Sequence, residues 1–333
     1  MISRLLVYIA FFLVTASSCF AVDVDQSDVD AFIDAMVSKH DYDRAALERI
    51  LGQAEVKQSI IEQISKPAEK TLTWAEYRPI FMTSERVQAG AKFWRENRAA
   101  LHGISSETGV PTEIIVGIIG VETYYGRITG GHRVLDALTT LAFSYPPRTK
   151  FFRRELEEFL LLVREEDMQA TDAFGSYAGA MGRPQFMPSS YRAYAVDSTG
   201  DGKRDIWNNW TDVAGSVANY FVAHGWTTGA EVTTQATLSE RFKGTPPKNQ
   251  LSADETVSSL SRSGVMFSTE LPNDSEGQLL TLEGQDGAEH WVGFHNFFVI
   301  TKYNRSVMYA LAVHQLGQQI ASKVYADVDS DAS

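Results

Sequence analysis

Apolar residues between Gly109 and Arg127 fall on every face of a helical projection: Ile114, Ile115, Val116, Ile118, Ile119 and Val121 leave no polar stripe. That pattern predicts a helix enclosed by the rest of its domain, with Pro111 suited to the first turn and Gly126 to the position just past the end. Upstream, residues 27–66 predict three short amphipathic helices. The first is capped by Ser27 or Asp28 and buries Phe32, Ile33, Met36 and Val37; the second runs from Arg44 to Leu51, and the third from Val56 to Ile64. The stretch TLTWAEYRPIF reads as extended and aromatic, after which Ser84 opens one long helix through Val87, Phe93, Trp94, Asn97, Leu101 and Ile104.

Downstream, Leu135–Phe143 predicts a helix stopped by Tyr145-Pro146-Pro147, and Phe151–Arg164 an amphipathic helix with Glu155, Glu157 and Glu158 on its wet side. A last helical run, Val213–His224, precedes Trp226, where the periodicity ends. Residues 229–285 are rich in Thr, Ser, Gly and Pro, and Leu279–Leu282 with Trp291–Thr301 read as strands around a Gly284–Gly287 turn. Asn304 then caps a final helix burying Val307, Met308, Leu311, Leu316 and Ile320, and the acidic tail from Tyr325 is expected to fray. The pattern is mainly α, an α+β chain with one small β-containing insertion. A length of 333 residues suits two or three subdomains.

Charge narrows the partners. Thirty Lys and Arg against 42 Asp and Glu give a formal charge of -12, which argues against nucleic acid. An anionic polymer would have to be held in a locally basic or neutral cleft. The single cysteine, Cys19, lies in an N-terminal segment shaped like an export signal, with Arg4 followed by the apolar run Leu5–Thr15. Cleavage after Ala21 gives a periplasmic form; Ala16-Ser17-Ser18-Cys19 is an imperfect lipoprotein box, so outer-membrane anchoring through lipidated Cys19 stands as the alternative. Either way there is no disulfide and no cysteine nucleophile.

Candidate chemistry is sparse. Glu122 is the one carboxylate at the end of the apolar helix, where poor solvation and the negative end of the helix dipole both favour the protonated acid. The plain alternative leaves its head in water. Gly175–Ala195 mixes small residues, amides and aromatics; Ser176 and Gln185 suit sugar hydroxyls or acetamides, and Phe186 and Tyr191 offer flat faces, while a tightly packed helix pair would have the same composition. Asp197 to Asp205 resembles the first nine places of an EF-hand loop, with Asn208 at the twelfth place where Glu is usual; Asp212 either closes a longer loop or caps the next helix. Metalloprotease, nucleophile-elbow, dinucleotide and phosphate-loop motifs are absent, and the seven histidines show no zinc spacing. An exported, helical chain with one acid and many aromatics points to glycan cleavage.

IIVGIIGVETYYG, SYAGAMGRPQFMPSSY, STGDGKRDIW, GSVANYFVAHGW and ITKYNRSVMYALAVHQLGQ occur in an order that closely resembles the MltB family of lytic murein transglycosylases, from about Trp74 to Gln319. The resemblance implies a lysozyme-like catalytic core at 101–228 containing the EF-hand-like loop 197–212. Around it lie a signal peptide at 1–21, a helical region at 22–100, a small β-containing region at 229–302, and a C-terminal helix and tail at 303–333 that pack back on the rest. It implies peptidoglycan glycan strands as substrate, other cell-wall enzymes as partners, a monomer, no catalytic cofactor and a structural calcium ion. Glu122 matches the family's acid/base; Ser176, Gln185, Tyr77, Arg148, Tyr220, Tyr303 and Tyr309 match its substrate-contacting residues, with Tyr309 or Ser176 placed to touch the acid or the acetamide. Asp197, Thr199, Asp201, the Lys203 carbonyl and Asp212 match its cation ligands. The chain departs from the family pattern at Pro147-Arg148, where two arginines are usual, at Arg183-Pro184, and at Asp212, which lies one place late. A hydrolytic muramidase and a non-catalytic peptidoglycan-binding protein remain the other readings.

Overall fold

Several helices begin where a side chain satisfies the first free amides. The computed structural model describes residues 24–65, 72–243 and 245–331; the export segment and Cys19 lie outside them. Asp25, rather than Ser27 or Asp28, caps α1 (Gln26–His40) by accepting from Ser27 N, and Asp43 caps α2 (Arg44–Leu51) through Ala46 N; α3 is Gln58–Ile64. The segment expected to be extended is helix α4 (Trp74–Phe81). A capping box between Thr73 and Glu76 nucleates it despite Pro79. The long helix expected next is two, α5 (Ser84–Glu96) and α6 (Arg98–Thr108). They break at Asn97, which leaves the helical region at φ -111° and ψ 17° and whose side-chain amide joins its own N–H on Phe93 O.

The central apolar helix is α7 (Thr112–Thr123), with Pro111 outside its first turn as the N-cap. Beyond it come β1 (His132–Arg133), α8 (Val134–Ser144), a tight 3-10 turn at Pro146–Arg148, α9 (Thr149–Glu165), β2 (Phe174–Gly175), α10 (Pro188–Tyr194) and α11 (Trp210–Ala223). Glu155 is not on a wet face. It is 2% exposed and accepts Ser189 N and Oγ at 3.0 and 2.9 Å, so it caps α10 from within the core.

The β-containing region holds β3 (Thr233–Leu238), β4 (Glu255–Thr256), the unforeseen helix α12 (Val257–Ser263), β5 (Val265–Met266), β6 (Glu276–Gly284) and β7 (Gly287–Phe294). They form an antiparallel sheet in the order β4-β6-β7-β3-β5, with Leu282 opposite Glu289 and Gly284 opposite Gly287. The second expected strand stops at Phe294, and its apolar remainder is α13 (His295–Tyr303). A run of consecutive apolar residues does not separate buried strand from buried helix. The final helix, α14 (Val307–Asp331), continues through the tail expected to fray.

What positions the site is the pairing of α7 with α14. A β-carbon on Gly117 would lie 2.6 Å from Val313 O, and one on Gly317 would lie 2.3 Å from Glu113 O, so these two glycines let the backbones nearly touch. On the same helix His314 is largely buried with no partner for Nδ1 among the described residues, and burial pushes its pKa down to about 4. A histidine held neutral in the fold stabilises it fully above the unfolded value near 6.5 and loses that contribution as pH falls from there toward 4. Unfolding free energy should therefore drop over that window by up to about 3 kcal/mol. Denaturant melts from pH 7 to 4 test this, and His314→Gln should flatten that part of the slope.

Candidate active site

Glu122 occupies the last turn of α7, which ends in three consecutive left-handed residues, Tyr124, Tyr125 and Gly126, at φ 51°, 57° and 81°. Such a turn is costly for two tyrosines and persists because neighbours hold it. Arg86 donates Nη1 to Gly120 O at 2.8 Å, and its guanidinium lies 4.4 Å from the centre of the Tyr124 ring. Arg86 is thus a second donor to a buried carbonyl that also accepts Tyr124 N at 3.2 Å. Thr123 Oγ1 donates to Arg183 O at 3.0 Å and accepts Gly126 N at 3.1 Å.

Across from α7, α14 brings Tyr309 to the acid: its phenol donates to Glu122 Oε1 at 2.5 Å. Tyr303 stacks on Tyr309, ring centres 6.5 Å apart at 14°, and donates to Pro184 O at 2.6 Å. Both phenols are held well above their usual pKa, first by burial and then by the charge of Glu122. They therefore remain proton donors throughout the neutral range.

Glu122 opens into a groove of about 1300 Å³. Ser176, Gln185, Arg148 and Tyr303 line it. Ser176 Oγ accepts Ala178 N and Ala180 N, which holds its loop, and the left-handed Gln185 gives its amide hydrogens to Thr129 O and Gly182 O, leaving its carbonyl oxygen to accept from a ligand. Arg148 is exposed, its guanidinium 4.3 Å from the Phe151 ring centre. Tyr77 and Tyr220 do not line this groove. Tyr77 packs between Trp74 and Phe81, and Tyr220 stacks on His224 at 4.0 Å and donates to Lys302 O at 2.6 Å, so both support the wall from behind.

Trp74, Phe151, Lys302 and Arg305 also face the groove, and sequence reasoning missed them. The charged side chains along the groove are Arg148, Lys302 and Arg305 against Glu122 and Glu283. The cleft is thus locally basic in a chain of net charge -12, as an anionic polymer requires.

A separate cluster forms where the loop after α10 meets α11. One carboxylate oxygen from each of Asp197, Asp201 and Asp212 lies within 4.8 Å of the others, and none of the three pairs with a basic side chain among the described residues. Asp197 accepts Gly200 N and Gly202 N, both at 2.7 Å; Asp212 is fully buried and accepts Ser198 N at 2.9 Å and Asp205 N at 3.1 Å. Thr199 Oγ1 sits between Asp197 and Asp212 at 3.3 and 3.4 Å. Three converging carboxylates with a hydroxyl are a hard-oxygen donor set that fits calcium. Lys203 lies in the same turn, its N–H donated to Asp201 at 2.9 Å. Asn209, rather than Asp212, caps α11, which leaves Asp212 to the cluster.

The Transglycosylase SLT domain family matches residues 25–318. Membrane-bound lytic murein transglycosylase B of Escherichia coli (strain K12) is 44% identical over 299 residues, 87% of this chain and 81% of that one. The soluble lytic transglycosylase SltB1 from Pseudomonas aeruginosa has a TM-score of 0.84 at 46% identity, covering 89% of this chain and 98% of that chain. The Escherichia coli lytic transglycosylase Slt35, solved in complex with calcium, has a TM-score of 0.80 at 42% identity, covering 90% and 94%.

Proposed function

Since this chain belongs to the lytic murein transglycosylase B family, we propose that its peptidoglycan-cleaving chemistry is carried by Glu122 alone, acting first as acid and then as base. The enzyme is a peptidoglycan lytic transglycosylase with a lysozyme-like core. In the reading supported here, a glycan strand lies along the groove and protonated Glu122 gives its proton to the departing β-1,4 glycosidic oxygen. The substrate acetamide stabilises the positive C1. The Glu122 carboxylate then takes the proton of the muramoyl C6 hydroxyl, which attacks C1 and closes a 1,6-anhydro ring. Because the acetamide takes the part of the second carboxylate of a two-acid glycosidase, none is needed, and no water enters the product.

The observation that carries this reading is the Tyr309 to Glu122 hydrogen bond inside a basic groove. Tyr309, Tyr303 and the amide-anchored Gln185 fix the acid and its wall, while Arg148 and Arg305 face the strand as cations for muramoyl carboxylates. Mass spectrometry of products from purified peptidoglycan tests it: muropeptides lighter by one water than the hydrolytic product are expected. Reducing ends would overturn it in favour of a muramidase, and no products in favour of a binding role.

We assign the catalytic core to 101–228, the flanking helical region to 22–100, the β-containing region to 229–302 and the helix that closes the site to 303–333. The acidic cluster is read as a structural calcium site: Asp197, Thr199, Asp201, the Lys203 carbonyl and Asp212 would hold the ion, which supplies positive charge to three converging carboxylates. Chelation should lower the melting temperature by about 5 °C, as loss of a ligand held a few hundredfold above its dissociation constant does. A scanning calorimetry trace unchanged by EGTA would overturn the calcium reading. The protein is read as an exported monomer, anchored at the outer membrane if Cys19 carries lipid, and [3H]palmitate labelling of Cys19 tests the anchor.

A further inference from the structure

One arginine links the loop that carries the Asp197-Asp201-Asp212 cluster to the backbone beside Glu122. Arg183 lays its guanidinium 3.8 Å from the Trp210 ring centre and donates Nη1 to Asn208 O at 3.0 Å. Asn208 and Trp210 belong to the stretch that leads into Asp212. Trp210 is the first residue of α11, two before Asp212, and so moves with the closing carboxylate of the cluster.

The same arginine reaches the residue next to the acid. Its backbone N–H donates to Ile206 O at 2.9 Å, on the loop side, and its carbonyl accepts Thr123 Oγ1, next to Glu122. Trp210 also lies over the left-handed turn: a β-carbon on Gly126 would stand 3.0 Å from the Trp210 ring edge and 3.3 Å from Arg183 Nε. Phe93 continues the packing, 4.7 Å from Trp210 and 5.6 Å from Tyr125 between ring centres. A planar fork on an indole face with a fixed hydrogen bond is a geometry that lysine does not reproduce.

We propose that Arg183 is a positioning residue that couples occupancy of the Asp197-Asp201-Asp212 cluster to the placement of Glu122. A cation drawing Asp212 toward Asp197 fixes the first turn of α11. Trp210 and Arg183 then hold Thr123 and the turn after the acid. The inference rests on the calcium reading above. Because coupling is reciprocal, a glycan that orders the groove must tighten calcium binding by the same factor that calcium tightens the glycan.

Calorimetric titration of calcium into the Glu122→Gln protein, with and without chitopentaose, measures this without turnover. Calcium affinity is expected to rise at least about fivefold with the glycan present. In the added Arg183→Ala background the ratio should fall to one with calcium still bound, and Arg183→Lys should lie between. With Glu122 restored and calcium saturating, Arg183→Ala should lower kcat on peptidoglycan by about tenfold and raise KM by no more than the lost coupling factor, as expected of a misplaced rather than a missing acid. A ratio of one in the Arg183 protein, or an undiminished ratio in Arg183→Ala, overturns the coupling. Chitopentaose affinity measured without calcium reports on the groove separately: glycan binding with no coupling leaves the groove reading intact and sinks only this inference, whereas no calcium binding at all sinks the coupling together with the calcium site.

Discussion

Glu122→Gln is expected to lower kcat for release of anhydromuropeptides by about 10³- to 10⁴-fold while the melting temperature stays within about 2 °C of the parent. The amide has the shape of the acid, and its oxygen still accepts the Tyr309 hydroxyl, so the bond at the end of α7 survives. What it lacks is a proton to give and a basic oxygen to take one back. The loss is large because one group serves both steps; with no second carboxylate assigned to the reaction, nothing remains to share the work. Binding should persist, because Gln185, Arg148 and the aromatic walls are untouched. Chromatography and mass spectrometry of digests, with calorimetry on the same preparations, give both numbers. Activity within tenfold of the parent would move the acid/base role away from Glu122.

The candidate acid was legible because its surroundings are local. An all-round apolar helix with a single carboxylate in its last turn is written in consecutive residues, and so is the Asp197–Asp205 loop. Harder to read were outcomes decided by one side chain's choice of partner. Glu76 and Thr73 turn an aromatic stretch into α4, and Asn97, with its side-chain amide on Phe93 O, splits a periodic run. Glu155 looked like one more surface acid, since the Ser189 it meets lies 34 residues away in the chain. The groove was least legible, because its walls come from α4, the segment after β2, the β6 strand and the α13–α14 connection, which only folding brings together. Hence Trp74, Lys302 and Arg305 escaped notice, while Tyr77 and Tyr220, matched by motif, stand behind the surface they were expected to form.

Tyr309→Phe should lower kcat by about 10²-fold, close to the 1.5–3 kcal/mol typical of a hydrogen bond to a charged group, with KM changed by less than about threefold. The phenyl ring keeps its place against Tyr303 and within α14, so packing changes little; only the hydroxyl at 2.5 Å from Glu122 is lost. Tyr309 is 2% exposed and its phenol is held well above its usual pKa, so the parent enzyme has a neutral donor on Glu122 at every pH at which it works. That donor favours the carboxylate over the acid. Without it the protonated form persists to higher pH, and the alkaline limb of the kcat profile should move upward in Tyr309→Phe. The shift separates two roles that a drop in rate alone would not. A tyrosine that merely fills space would leave the limb in place, and an unchanged profile with an unchanged kcat would reduce Tyr309 to packing and leave the orientation of Glu122 to the α7 turn and Thr123.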